Sequence, residues 1–396
     1  MVSPGSICYR HWSSEFLTID CKEIQGDCRE TRGSPNIRTI LGETEKEIIG
    51  VILLNLGGPD SLRAVRPFLY NLFSDRRIIR LGPAILQKPI AWLIAKLRSK
   101  KTEKIYSLIG GGSPILAITG QQAEALEALL NKEPVREEST PSIPSYSGRV
   151  RARMTGVKFK AYVGMRYWHP LIEEVVPEIS RDGIKKLVAL SMYPHYSLAT
   201  AGSSMSRLME VIEAYPIEIF SISSWYDHPL YIEALTDVIK KGLDLFTSHL
   251  GLTEIEGLRD IQVLFSAHSL PVSFIKEGDP YINQVRGTIK EVVKRLPVKW
   301  SLSYQSKSGP VKWLEPSTEE TLKRFAKLGY KNILLVPISF VSDHVETLYE
   351  IDILYKEMAE QLGMVLKRVD SLNMHPIFMQ ALQGMVISGA KAKGWI

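Results

Sequence analysis

Cysteine is nearly missing from this chain. The three present in 396 residues are Cys8, Cys21 and Cys28, so no disulfide framework and no cysteine-ligated cluster can hold the body together. A zinc or iron–sulfur site made by the N-terminal stretch alone would be one cysteine short. His11 could complete a set, but the spacing fits no zinc pattern. Long apolar runs are missing too: none reaches the roughly 18 residues that a membrane-spanning helix requires. The N-terminus has no apolar signal core and carries Glu15, Asp20, Glu23, Asp27 and Glu30, which argues against secretory and transit peptides and makes the cytoplasm the expected compartment. Gly57-Gly58 after a first strand lacks the third glycine of a dinucleotide fingerprint and the lysine and hydroxyl of a P-loop. The charge excess is only +6, with dense basic clusters confined to 98–104 and 149–153. No nucleic-acid partner is expected, and an anionic small molecule or membrane surface suits that charge better.

What remains is an ordinary globular composition, 45% hydrophobic and 23% charged, with length for two domains or one large α/β unit. Residues 1–46 show no periodicity and read as a poorly ordered extension. From there apolar strands (47–56, 158–163, 186–192, 217–222, 261–265, 299–304 and 332–340) alternate with amphipathic helices, the last at 375–388. Residues 134–157 form a Pro-, Ser- and Arg-containing insertion. The segment 82–104 is apolar on several sides and ends in a basic cluster, as expected for the lip of an apolar cavity or a helix resting on a membrane. An internal echo, RDGIKKLV (181–188) against KLGYKNIL (327–334), points to two related halves. The expected fold is therefore α/β, with two Rossmann-like doubly wound halves, 47–222 and 223–396. Their parallel sheets are flanked by helices and face a central cleft.

The stretch FVSDHVETLYEID (340–352) follows the most apolar strand. Asp343, Glu346 and Glu350 fall at i, i+3 and i+7, which puts three carboxyl groups on one helical face beside His344. Asp343-x-x-Glu346 also fits a capping box, although Glu350 lies too far along to cap anything. His268, in SAHSLP, ends another buried strand, the place where ligands bind in open α/β sheets. A histidine facing carboxylates across an apolar cleft suits proton abstraction or delivery of a divalent metal.

LLNLGGP (53–59), IGGGSP (109–114), VGMRYWHP (163–170), LSMYPHYS (190–197), FSAHSLP (265–271), YQSKSGPVKWL (304–314) and FVSDHVETLYEID resemble the signature stretches of ferrochelatases, in order and at similar spacing, over about residues 48–392. The resemblance implies a chelatase-like fold and insertion of Fe(II) into protoporphyrin IX, with no cofactor required because Fe(II) is a substrate. It implies that His268 and Glu346 are catalytic. His268, Glu346, Asp343, His344 and Glu350 would meet the metal, and Arg166, Tyr167, Trp313, Tyr193 and Ser266 would bind the porphyrin. An arginine suits a propionate and an aromatic face suits the macrocycle.

Some positions depart from the pattern. Leu354 stands where many relatives extend the acidic row, and His195 where many carry Gln. Ser107-Leu108 precede IGGGSP where animal members often carry arginines, and no C-terminal cysteines are present, so no iron–sulfur cluster is expected. Other readings are a chelatase for coproporphyrin or for another metal, and a porphyrin carrier without chemistry. Peripheral membrane contact through 82–104 is expected, and the sequence carries no visible sign of oligomeric state.

Overall fold

A computed structural model of the chain describes residues 47–79, 81–132, 156–250 (247–250 as backbone only), 260–307, 309 and 311–396. The expected 1–46 extension with its cysteines, and nearly all of the 134–157 insertion, lie outside the described residues. The apolar runs become two four-stranded sheets. β1 (Glu47–Asn55), β2 (Val157–Met165), β3 (Lys186–Ser191) and β4 (Glu218–Ile222) pair in the order β2-β1-β3-β4, all parallel. β5 (Ile261–His268), β6 (Trp300–Gln305), β7 (Asn332–Pro337) and β8 (Val365–Arg368) pair as β6-β5-β7-β8, again all parallel. The two orders are the same when each half is counted from its own first strand. The echo read from the sequence marks equivalent places: Gly183 (φ 73°) and Gly329 (φ 81°) each end a helix in the left-handed region and turn the chain into β3 and β7, a conformation glycine adopts without a Cβ penalty.

Parallel strands buried on both faces divide their side chains between two layers. On β1, Val51 and Leu53 point into a large central core while Ile52 and Leu54 point to an outer cluster under helices Ile172–Arg181 and Ser203–Ile212. On the second sheet Val263, Phe265, Leu334 and Val336 join that central core. Leu264, Ile333 and Leu335 instead meet Leu322 and Phe325 of the helix Thr318–Lys327. Helix Pro376–Ala392, last in the chain, packs on helices Ile115–Asn131 and Pro229–Leu250 and against β3 and β4 of the first sheet. Its end is fixed by Trp395 Nε1 and Lys393 Nζ, which donate to Glu218 on β4 at 3.2 and 3.0 Å. One contiguous core therefore runs through both halves.

Two expectations are corrected. The strand read as 332–340 stops at Pro337, and residues 338–344 form an irregular turn before the helix starts. The helix that follows, Glu346–Tyr355, is a π-helix that continues as an α-helix over Lys356–Gln361. β8 was not foreseen; it is four residues long with mixed exposure and so carries no apolar run for the eye to find.

The segment 82–104 becomes a 3₁₀ turn and the helix Gln87–Ser107. Its buried residues are Gln87, Ala91, Ala95, Ser99 and Tyr106, a stripe of mostly small side chains at helical spacing. That stripe packs against Val65, Phe68, Leu69 and Phe73 of the helix Val65–Ser74. The large apolar side chains face out: Ile85 is 85% exposed and Leu97 71%. No helix among the described residues is long and apolar enough to cross a membrane.

Candidate active site

The strand order reverses direction at β1 in one sheet and at β5 in the other, and open α/β sheets bind ligands at the carboxyl ends of strands beside such a switch point. His268 is the last residue of β5. Its backbone is pinned on both sides: its N–H donates to Ser339 Oγ at 3.1 Å, and Tyr281 Oη donates to its carbonyl at 3.0 Å. Its ring Nδ1 lies 2.8 Å from Glu346 Oε2. Glu346 is the first residue of the π-helix, so one hydrogen bond joins the end of β5 to the start of that helix. With Nδ1 engaged, Nε2 is the ring atom left for chemistry.

Ser306, just past β6, completes the arrangement. Its Oγ is 2.8 Å from Glu346 Oε2 and 2.5 Å from Glu350 Oε2. A hydroxyl has one hydrogen to give and can accept others. Two ionised carboxylates around it would leave one contact without a proton, whereas a protonated Glu350 can donate to Ser306 Oγ while Ser306 donates to Glu346. Ser306 holds φ at 65°, a left-handed backbone that costs a non-glycine residue about 1–2 kcal/mol, and such strain concentrates at functional sites. Gln305 Nε2 donates to the Glu346 carbonyl at 3.2 Å and to Glu350 Oε2 at 3.3 Å.

The electrostatics follow from this geometry. Burial alone would lower the His268 imidazolium, but the Glu346 carboxylate and its hydrogen bond outweigh that and raise it. Burial likewise pushes the Glu346 carboxyl up, and His268, His344 and the Ser306 hydroxyl more than reverse it, holding this group well below the usual carboxylate range. On Glu350 the Ser306 and Gln305 hydrogen bonds and the more distant His268 pull the same way but are outweighed. Burial and the neighbouring Glu346 charge push it up to about 7. Two carboxyl groups on one hydroxyl thus titrate far apart. His344 is buried, and its Nδ1 donates to the Ser342 carbonyl at 3.0 Å, so the neutral ring keeps its lone pair on Nε2. The ring of Phe340 lies between the two histidines, 6.1 Å from His268 and 4.3 Å from His344. Burial and, second to it, the Glu346 charge raise the phenol of Tyr106 in the helix Gln87–Ser107.

The structure brings His268, Glu346, Glu350 and His344 together and draws Asp343 away. Asp343 Oδ1 takes Arg368 at 3.1 Å and Ser371 at 2.7 Å, and Oδ2 takes Asn373 at 2.8 Å. The capping box is not formed either, because Asp343 Oδ1 receives the Thr347 hydroxyl and no backbone N–H of the helix. Among the described residues no group of three or more His, Cys, Asp or Glu side chains is arranged to hold a metal ion.

The porphyrin-binding candidates also divide. Arg166 Nη2 is bound to Asp75 at 2.6 Å and its Nε to Ser203 at 2.9 Å, so its guanidinium is already occupied. Tyr167 is 1% exposed, with its hydroxyl on Asp75 at 2.7 Å, and presents no open face for stacking. Ser266 is fully buried and donates to Gln305 Oε1 at 2.7 Å; its role is to orient the amide that reaches Glu346. Trp313 is half-buried and pairs by a β-bridge with Pro271, three residues past His268. Tyr193 lines a cavity of about 30 Å³ with Asn55, Ser342 and His344, and its buried hydroxyl has no hydrogen-bond partner among the described residues. His195 is 2% exposed with Nε2 on Thr288 at 2.9 Å, an internal contact. Ser306, Gln305 and Tyr281 escaped the sequence reading. Ser306 stands in a polar loop just past β6, Gln305 is the buried last residue of β6 and Tyr281 opens the helix Tyr281–Arg295, and none of these places gives a single polar side chain a pattern of its own.

Residues 48–390 match the family model described as Ferrochelatase. The chain is 45% identical over 346 residues to the Ferrochelatase of Geotalea daltonii, covering 86% of this chain and 98% of that one. It is 47% identical over 343 residues to that of Desulfotalea psychrophila, covering 86% and 97%, and 44% identical over 347 residues to that of Synechocystis sp., covering 86% and 82%. Among solved structures it is similar to SirB from Bacillus subtilis with Fe3+, at a TM-score of 0.48 and 12% identity, covering 88% of this chain and 98% of that one.

The position of Glu350 has a measurable consequence. Its carboxyl is raised from 4.5 to about 7 in the folded protein. Between those values the folded state holds a proton that the unfolded state has released, so this group makes stability fall as pH rises through that window. Glu350→Gln removes the titrating group and leaves the His268–Glu346 pair in both proteins. Denaturant unfolding at pH 5 and pH 8 should show the Gln variant gaining on the parent by about 1–3 kcal/mol across that range. A stability difference that does not change with pH would contradict the assignment.

Proposed function

The chain belongs to the ferrochelatase family, and from that premise we propose how its own residues carry out the reaction. The enzyme is a ferrochelatase, a lyase that inserts Fe(II) into protoporphyrin IX to form protoheme in the last step of heme biosynthesis. The chemistry makes three demands: Fe(II) must shed water, the flat ring must bend so that its nitrogens point at the metal, and two pyrrole protons must leave. The observation that carries the reading is the hydrogen-bonded line His268–Glu346–Ser306–Glu350 at the carboxyl ends of the second sheet's strands.

In this reading Glu350, whose carboxyl is held near neutrality, first gives its proton to solvent, and neutral His268 takes a pyrrole proton on Nε2, the imidazolium so formed being stabilised by the Glu346 carboxylate. His268 returns to the neutral form when its Nδ1 proton moves by way of Glu346 and a reoriented Ser306 hydroxyl to the ionised Glu350. A base is most useful when its pKa lies near the working pH. His344 Nε2, with its proton fixed on Nδ1 by Ser342, offers a lone pair to incoming iron beside the same carboxylates. In this reading Trp313 and Tyr193 meet the macrocycle, while Arg166 and Tyr167 act behind them through Asp75. The proposed reaction needs no resident cofactor, iron being a substrate.

The outward apolar side chains Ile85, Trp92, Leu93 and Leu97, among Lys88, Lys96, Lys100, Lys101 and Lys104, suit peripheral contact with an anionic membrane surface from the cytoplasm. That placement would set the lip helix where a poorly soluble porphyrin or heme enters and leaves.

Two experiments bear on this. In an anaerobic assay of Fe(II) with protoporphyrin IX, followed by loss of porphyrin fluorescence and growth of the heme band, the parent should turn over. His268→Ala and Glu346→Gln should each fall by about 100-fold or more, the usual worth of a positioned acid–base group. Porphyrin binding by the parent with no turnover would make the chain a carrier. Co-sedimentation with anionic liposomes should occur at low salt and weaken in Trp92→Ser/Leu97→Ser; no binding at low salt would sink the membrane contact.

A further inference from the structure

A π-helix closes i→i+5 hydrogen bonds and is seldom sustained beyond a single turn. Here it runs through ten residues, Glu346–Tyr355, and carries both Glu346 and Glu350. Something outside the helix must hold it in that form, since relaxation to the tighter α-helix would rotate Glu350 relative to Glu346 and change the geometry in which both meet Ser306. The contacts at its borders identify the restraint. Arg368, at the end of edge strand β8, is 11% exposed along its side chain. Its Nε and Nη2 donate to Asp352 Oδ1 and Oδ2, both at 2.8 Å, in the two-pronged geometry that suits a guanidinium and a carboxylate. Its Nη1 donates to Asp343 Oδ1 at 3.1 Å, to the Val369 carbonyl at 3.2 Å and to Ser371 Oγ at 3.3 Å. Asp343 precedes the first residue of the π-helix and Asp352 lies within it, beyond Glu350. One side chain therefore grips the acid-bearing segment on both sides of the two reacting carboxyl groups.

We propose that Arg368 is a positioning residue for metal insertion. By clasping Asp343 and Asp352 it holds the Glu346–Tyr355 segment in the wide-helix form in which Ser306 spans Glu346 and Glu350. Arg368 touches neither Glu346 nor Glu350 and acts through the helix alone. The segment's other ties fit the same purpose. The Asp343 N–H donates to Asn373 Oδ1 at 3.0 Å, and Gln122 Nε2 from the first half donates to the Asn373 carbonyl at 2.8 Å and to Ser342 Oγ at 3.2 Å. The turn before the helix is thus tied to the helix Ile115–Asn131 of the first half, and Arg368 extends that hold past Glu350. The acid that the sequence offered as a metal ligand, Asp343, becomes an anchor of the clasp. A lysine at this position has neither the fork for Asp352 nor a second arm for Asp343.

The proposal rests on the proton line of the preceding subsection, so the parent and Glu346→Gln run as references. Failure of the parent to turn over, or full activity in Glu346→Gln, overturns that reading and this one with it. Given those references, Arg368→Met should lower kcat at least tenfold. Its affinity for protoporphyrin, read by fluorescence without iron, should stay within twofold of the parent, and added methylguanidinium should recover part of the loss. Asp352→Asn keeps the arm to Asp343 and should lose less than Arg368→Met, again with porphyrin affinity unchanged; it carries the test if Arg368→Met does not fold. A merely structural role predicts a different pattern, with kcat, porphyrin affinity and melting temperature falling in parallel and no rescue. That pattern, or a kcat within twofold of the parent in both variants, overturns the proposal.

Discussion

One carboxylate, that of Glu346, decides most of what surrounds it. It is buried enough that its charge needs compensation, and the compensation comes from His268 at 2.8 Å on one side and the Ser306 hydroxyl at 2.8 Å on the other. Removing one member of such a pair leaves the other charge poorly solvated, at a cost on the order of 3–5 kcal/mol, so the end of β5 is bound to the start of the π-helix through this contact. The same charge keeps the histidine in one orientation and forces Glu350, a turn further on, to hold its proton near neutrality. A single ion pair therefore gives three titrating groups with three different tasks.

The fold supplies what that pair cannot supply for itself. β5, β6 and β7 lie side by side in register, with His268 opposite Gln305 and Ser266 opposite Pro337, so the residues that follow each strand emerge at one edge. Ser266, fully buried between them, turns the Gln305 amide toward Glu346. The first half contributes a second buried polar cluster. There Asp75 collects Arg166, Tyr167 and Ser203. The inner stripe of the helix Gln87–Ser107 is made mostly of small residues, and its outer surface mixes large apolar side chains with lysines.

Much of this was legible before any coordinates. Runs such as IGVILLNL and NILLVP are too apolar to be anything but buried, and the glycine turns at 183 and 329 announced the repeated half. His268 and the acid row were expected to face each other across an apolar cleft, whereas the structure joins His268 and Glu346 by a direct hydrogen bond within the second half. What was not legible had a common cause: partners distant in sequence. Asp343 looked like a member of the acid face until Arg368 and Asn373 took its oxygens. Arg166 looked free until Asp75 claimed it, and Tyr167 looked like a pocket wall until burial closed over it. The helical spacing of Glu346 and Glu350 suggested an α-helix, because nothing in local composition separates that from the π form. Ser306 was invisible because a serine in a polar loop announces nothing, yet it is the atom bridge between the two acids.

That bridge is the most exposed part of the account. Ser306→Ala removes one oxygen while leaving the His268–Glu346 contact, the strands and the lip helix in place. If protons leave through Glu350, turnover of Fe(II) and protoporphyrin IX by this variant should fall about tenfold or more, with KM for the porphyrin unchanged and a larger solvent deuterium isotope effect than in the parent. A variant that turns over at the parent's rate, with the same isotope effect, would show that protons leave by another path, and the line from His268 to Glu350 would be structural only.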